Sequence, residues 1–135
     1  MIDAGLWDAF WERLQRRYAA LAEAMRECND DLHWNADRYE SEAFPFRAHA
    51  YFSRSRARRE EDVTLSVNCW KGPRAFELSA DVARDGTVVL DSYGPASFPY
   101  EREPADNAAP ARSAFDQIDD FFASQADLMR RELCP

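Results

Sequence analysis

Between residues 46 and 93 the chain reads FRAHAYFS (46–53), VTLSVNCW (63–70), AFELSADV (75–82) and VVLDSY (88–93). Phe46, Ala48, Ala50 and Phe52 alternate with Arg47, His49, Tyr51 and Ser53, and Val63, Leu65, Val67 and Cys69 alternate with Thr64, Ser66, Asn68 and Trp70. Further on, Phe76, Leu78, Ala80 and Val82 alternate with Glu77, Ser79 and Asp81, and Val88 and Leu90 with Val89, Asp91 and Tyr93. A period of two puts each apolar set on one side of a pleated strand. Four such strands with short connections predict an antiparallel meander having one dry face and one wet face.

Keeping the apolar parity constrains the turns, because a slip of one residue exchanges the faces. Opposing Val82 to Val88 requires a three-residue loop, Arg84-Asp85-Gly86, with glycine in the left-handed position. Lys71 to Arg74, centred on Gly72 and Pro73, makes the middle turn, and residues near Arg56 to Arg59 make the first. The resulting rows across the wet face are His49, Ser66, Ser79 and Asp91; Arg47, Asn68, Glu77 and Tyr93; and Tyr51, Thr64, Asp81 and Val89, with Trp70 at the rim.

Helical patterns flank this block. Trp7, Phe10, Trp11, Leu14, Tyr18, Leu21, Met25 and Cys28 recur at steps of three and four from about Asp3, which can cap the helix. Phe115, Ile118, Phe122, Ala126, Met129 and Leu133 do the same after Ser113 and Asp116, a start resembling a capping box. The order α-β-β-β-β-α predicts an α+β fold: one domain over residues 1–135, a two-layer sandwich with both helices on the dry face of a four-stranded meander.

Two stretches lack a clean period. Asp30 to Pro45 reads as a connection, with a short helix around Ala36 to Ser41. Residues 94–112 contain Pro95, Pro99, Pro104 and Pro110 and read as a long loop whose Ser97–Glu101 part, with Phe98 and Tyr100, packs along the edge of the last strand.

Composition excludes several classes. A net charge of -8 over 135 residues disfavours nucleic acid as a partner and favours a basic protein or peptide. No apolar run is long enough to span a membrane, and the first residues lack a basic segment followed by an apolar one, so the expected setting is cytoplasmic. Cys28, Cys69 and Cys134 are odd in number and without CxxC spacing, which disfavours a disulfide framework and a zinc site; they read as thiols, with Cys69 in the core. No cofactor or metal is expected. Among the basic residues only Lys71 is lysine, a bias that suits a GC-rich, bacterial genome and lowers the weight of arginine as a functional signal.

The residues that could carry function lie on the wet face and in the acidic connection. His49 and Ser66 invite comparison with a catalytic triad, but Asp91 falls too far along its row to orient the imidazole, and no nucleophile turn or oxyanion donor accompanies them. Arg47, His49, Tyr51, Trp70 and Tyr93 are better read as a recognition surface, since aromatic residues and arginine dominate binding hot spots. Asp30, Asp31, Asp37, Glu40 and Glu42 lack calcium-loop spacing and read as a solvated surface that can meet a basic partner. Arg54, Arg56, Arg58 and Arg59 near the first hairpin tip protect it from edge pairing or dock an anion. The expected function is binding of another protein by a small acidic module, in the manner of an immunity-type inhibitor or a secretion chaperone. The alternative is a small-molecule binder or enzyme with a pocket between the sheet and the 94–112 loop; a homodimer is a third way to cover the aromatic residues.

Overall fold

A computed structural model describes residues 4–57, 61–99 and 104–135. Helix α1 (Ala4–Arg26) precedes strands β1 (His33–Tyr39), β2 (Phe46–Ser53), β3 (Val63–Lys71), β4 (Ala75–Arg84) and β5 (Val88–Pro99), and helices α2 (Pro104–Ala123) and α3 (Ala126–Leu133) follow. The strands form one antiparallel sheet in the order β1-β2-β3-β4-β5. The protein is therefore α+β with an antiparallel meander, but the described residues hold five strands and three helices. No helix among the described residues is long and apolar enough to cross a membrane.

The additional strand, β1, occupies the stretch expected to be a connection and replaces the short helix expected at Ala36 to Ser41. Trp34, Ala36 and Arg38 face the same way as Phe52, Ala50 and Ala48 of β2, their partners in the ladder. The alternation is masked because its third inward position is an arginine. Arg38 packs its guanidinium 5.2 Å from the centre of the Phe46 ring and pairs with Asp8 at 2.8 Å and Glu40 at 3.4 Å. Its aliphatic stem covers apolar surface while its head reaches charge at the margin.

The dry face of the sheet is fully buried at Phe46, Ala48, Ala50, Phe52, Val63, Leu65, Val67, Cys69, Leu78, Ala80 and Val82. Trp7 of α1 stacks on Phe46 at 5.4 Å, and Phe10 stacks on Phe115 of α2 at 4.1 Å. Helix α1 contacts β1 and β2, α2 contacts β4 and β5, and α3 reaches β3. Cys69 is a free core thiol, pushed up to about 12 by burial.

One helix was expected from Ser113 to Leu133; the chain instead breaks at Ser124 and Gln125. The Ser124 hydroxyl donates to the Phe121 carbonyl at 2.6 Å, and α3 resumes with Met129 N–H donating to the Gln125 carbonyl at 2.9 Å. The stripe Phe115, Ile118, Phe122, Met129, Leu133 is buried throughout, so periodicity alone could not reveal the break. At its other end α2 begins at Pro104, a residue suited to the first helical position because it has no N–H to satisfy.

The expected loop at 94–112 is thus strand as far as Pro99 and helix from Pro104. Ala96 and Phe98 are buried and pair with Leu78 and Phe76 of β4 directly, extending the last strand rather than lying beside its edge. Gly94 makes this passage sterically feasible: its φ is +135°, and a Cβ there would sit 2.8 Å from the Leu78 carbonyl oxygen. The expectations for Asp3, Arg58, Arg59, Tyr100 and Glu101 lie outside the described residues.

The β2–β3 register is as expected, with His49 opposite Ser66, while the registers of the next two hairpins differ from expectation. The β3–β4 turn is Gly72 to Ala75, closed by Gly72 N–H to the Ala75 carbonyl at 2.9 Å, so Ser66 opposes Asp81 and Asn68 opposes Ser79. That shift is even and keeps the faces. In the β4–β5 hairpin Asp85 and Gly86 have φ of 54° and 71°, and Thr87 N–H donates to the Arg84 carbonyl at 3.2 Å. Arg84 opposes Val88, so the loop has three residues as expected but lies one position later, Asp85-Gly86-Thr87, with the positive φ pair at Asp85 and Gly86. Val88 then lies beyond the core and is 54% exposed.

Two clasps hold the helical layer. Cys28 and Cys134, expected as thiols, form a disulfide with Cα atoms 5.6 Å apart across 106 positions. Next to it the Asn29 side-chain amide donates to the Arg54 and Leu133 carbonyls, each at 2.8 Å. Between α1 and α2, buried Asp119 accepts from Arg17 at 2.9 and 3.0 Å and from Arg13 at 3.2 Å, while Arg13 also pairs with Asp116. Burial by itself raises the Asp119 carboxyl, but the hydrogen bonds and charges of Arg17 and Arg13 outweigh it and the net shift is downward.

This yields a signed prediction. A carboxyl held below its ordinary value of about 3.9 adds stability at higher pH and loses it as pH falls through the folded value. We expect Asp119→Ala to cost about 2–3 kcal/mol at pH 7, somewhat less than for a fully buried ion pair because both arginines are partly exposed. Urea titrations at pH 7 and pH 3 measure it, and the difference between variant and parent should shrink at the lower pH.

Candidate functional site

The face of the sheet opposite the α1 core contacts is built by period two from five strands. Asp37 opposes His49, His49 opposes Ser66, Ser66 opposes Asp81 and Asp81 opposes Ser92 in one row. Tyr39, Arg47, Asn68 and Ser79 form the next, and Trp70 with Glu77 stands beyond it.

The centre of this face is aromatic. The His49 ring lies 5.5 Å from Tyr39 and 5.9 Å from Tyr51. Tyr39 is 45% exposed, and its hydroxyl donates to Asp37 at 3.3 Å. Tyr51 is pushed up to about 12, by burial first and by the Tyr39 hydroxyl second, so it stays protonated at neutral pH. Burial, reinforced by Arg47 and partly opposed by Asp37, lowers His49, which is therefore a neutral imidazole at pH 7. Around this centre the longer side chains are pinned. Arg47 donates through Nε to Asn68 at 2.9 Å and lies 4.7 Å over the Phe44 ring. The Trp70 indole donates to Glu77 at 2.6 Å.

Asp37, His49 and Ser66 are triad residue types in adjacent positions, closer than the expected row ending at Asp91. No hydrogen bond joins them: Asp37 accepts from Tyr39, and His49 Nδ1 is buried without a partner among the described residues. A base lacking both an orienting carboxylate and a bonded nucleophile does not form a relay. Nor do three His, Cys, Asp or Glu side chains converge on a metal position among the described residues.

No protein-family model, curated protein sequence or solved structure matches this chain. The face must be judged by its own chemistry.

Of the residues expected to form the site, Arg47, His49, Tyr51, Trp70 and Asp37 come together. Asp91 and Tyr93 do not. Bulges in the β4–β5 ladder set Tyr93 opposite Ala80 rather than Glu77, an odd shift that turns it to the helix side. There it stacks on Phe121 at 5.8 Å and donates to Gln117, while Asp91 accepts from Gln125. The acidic residues do not form one patch either. Asp30 and Asp31 precede β1 and Glu40 and Glu42 follow it, separated by a seven-residue strand of roughly 23 Å. Near the first hairpin, Arg54 pairs with Asp62 at 3.4 Å and Arg56 is exposed.

Tyr39 and Phe44 complete the face and were not expected there, whereas Asn68 stands beside Arg47 as expected. The inward Arg38 concealed β1 and with it the outward position of Tyr39. Glu77 was in the predicted row but one step from its actual partner, Trp70.

Proposed function

We propose that this protein is a binding module whose partner is another protein, recognised by the open sheet face around Tyr39, His49 and Tyr51. The observation that carries this reading is the convergence of exposed and half-exposed aromatic side chains with pinned Arg47 and Trp70 on rigid strands, without a bonded catalytic set. Aromatic and arginine side chains already held in place lose little freedom on binding, which is the property of a hot spot. Asp37 and Glu77 on the face, and a net charge of -8, favour a basic partner. An inhibitor of a toxic basic protein, or a chaperone for a secreted one, is the form of this activity that we infer.

Affinity isolation from the native host under gentle conditions, followed by mass spectrometry, tests this. A stoichiometric basic protein is expected. Trp70→Ala should retain the parent's melting behaviour within about 1 kcal/mol, because the side chain is half-exposed, yet weaken that partner by about tenfold or more. Recovery of the chain alone, as a monomer or homodimer, would overturn the reading.

A further inference from the structure

The helical layer carries a second concave feature. Helices α1 and α2 run side by side in the same direction, as the pairs Phe10–Phe115, Arg13–Asp116 and Arg17–Asp119 establish. Along their seam lies a depression of ≈ 380 Å³ lined by Leu6, Ala9, Phe10 and Phe115 with Arg13, Arg16 and Arg112. It shares Arg13 and Arg16 with a neighbouring depression of ≈ 310 Å³, lined also by Arg17, Ala20 and Asp119.

The charge here runs against that of the whole molecule. Four arginines, Arg13, Arg16, Arg17 and Arg112, meet two carboxylates, Asp116 and Asp119, in a chain of net charge -8. Those carboxylates are occupied by Arg13 and Arg17. Most other arginines among the described residues have an acid: Arg26 has Glu23, Arg38 has Asp8, Arg54 has Asp62, Arg84 has Glu132 and Arg130 has Asp127. Arg16 and Arg112 have none among the described residues, and both line the same depression, one from each helix. An all-charged cleft at Arg54, Arg84 and Arg131 differs, because Asp62, Asp85 and Glu132 balance it.

We propose that the α1–α2 seam binds a small amphiphilic anion. Its carboxylate or phosphate head lies between Arg16 and Arg112, and its apolar body lies along Leu6, Ala9 and the edges of Phe10 and Phe115. Guanidinium groups pair with either head in a two-point geometry, and the cavity size is that of a small-ligand site. This site is on the opposite side of the sheet from the protein-binding face and does not depend on it.

The test uses octanoate, octyl phosphate and octanol below their micellar concentrations, measured by isothermal titration calorimetry on the full chain. At least one anion should bind roughly tenfold or more tightly than octanol, the factor expected for a single charge-assisted contact, and the tighter head identifies the natural class. Arg16→Ala combined with Arg112→Ala should remove that preference while the melting temperature is kept. Arg16→Lys with Arg112→Lys controls for charge alone and should restore part of it. Failure of both anions to bind, equal binding of octanol, or an undiminished preference in the alanine variant overturns the site.

Discussion

Reducing the Cys28–Cys134 disulfide should lower the free energy of unfolding by about 3–5 kcal/mol, the scale of chain-entropy loss for closing a loop of roughly a hundred residues. The bond spans 106 positions, almost the entire chain, and ties the end of α1 to the residue after α3. Helix α3 has eight residues, too few to be stable alone, so its order depends on tertiary anchoring. Met129 and Leu133 are buried, the Leu133 carbonyl accepts from Asn29, and Glu132 pairs with Arg84. These contacts keep α3 in place after reduction, so the effect should appear as a lower denaturant midpoint and not as loss of the fold. Guanidinium titrations with and without reductant measure it, with Cys28→Ser/Cys134→Ser as the control that reductant should leave unchanged. If reductant does not move the parent protein, the two sulfurs are not joined in solution. Thiol titration of protein taken directly from the native host then bears on location, since a cytoplasmic setting keeps these cysteines reduced while an oxidising one preserves the bond.

Leu65→Asp should abolish folding. Leu65 is completely buried in the central strand, opposite Ala50 on one side and Val82 on the other, on the dry face. An aspartate there has no cation or donor within the apolar core. It must be desolvated as an ion or held protonated far above its ordinary value, a penalty of several kcal/mol added to the lost leucine packing. Total stability of a domain this size is only about 5–15 kcal/mol. Circular dichroism and proteolysis should show an unfolded chain. Trp70→Ala is the counterpart on the other face, where the fold should persist. A folded Leu65→Asp together with an unfolded Trp70→Ala would mean that the two faces of the sheet are exchanged.

That contrast marks what was legible in the residues. The dry sides of β2, β3 and β4 follow directly from alternation, and every apolar position predicted there is buried. The stripe of α1 was equally plain from Trp7 to Met25. Strand β1 was not, because Arg38 stands where an apolar residue would have completed the period and is accommodated by Phe46 and Asp8 arriving from elsewhere in the chain, with Glu40 beside it. In the last hairpin the loop lies one residue later than expected, with Arg84 opposite Val88, an even shift that keeps the faces; the bulge between Val82 and Ala83 is what turns Asp91 and Tyr93 to the other side.

The same division holds at the site. Arg47, His49, Tyr51 and Trp70 could be assigned to one face from their spacing, while the choice of neighbours could not. Asp37 and Tyr39 joined them through an unrecognised strand, and Tyr93 left through bulges that only pairing with β4 reveals. The acidic stretch looked continuous in sequence and is divided in space by the length of β1.

By itself the sequence determined the antiparallel sheet, its apolar face, the amphipathic helices and the net negative charge, because residue period and charge are local properties of the chain. The tertiary structure decided strand count, register, the α2–α3 break, the joining of Cys28 to Cys134 and the placing of Arg16 and Arg112 on one depression. Those depend on which distant segments come within a few ångströms of one another, and no local pattern encodes that distance.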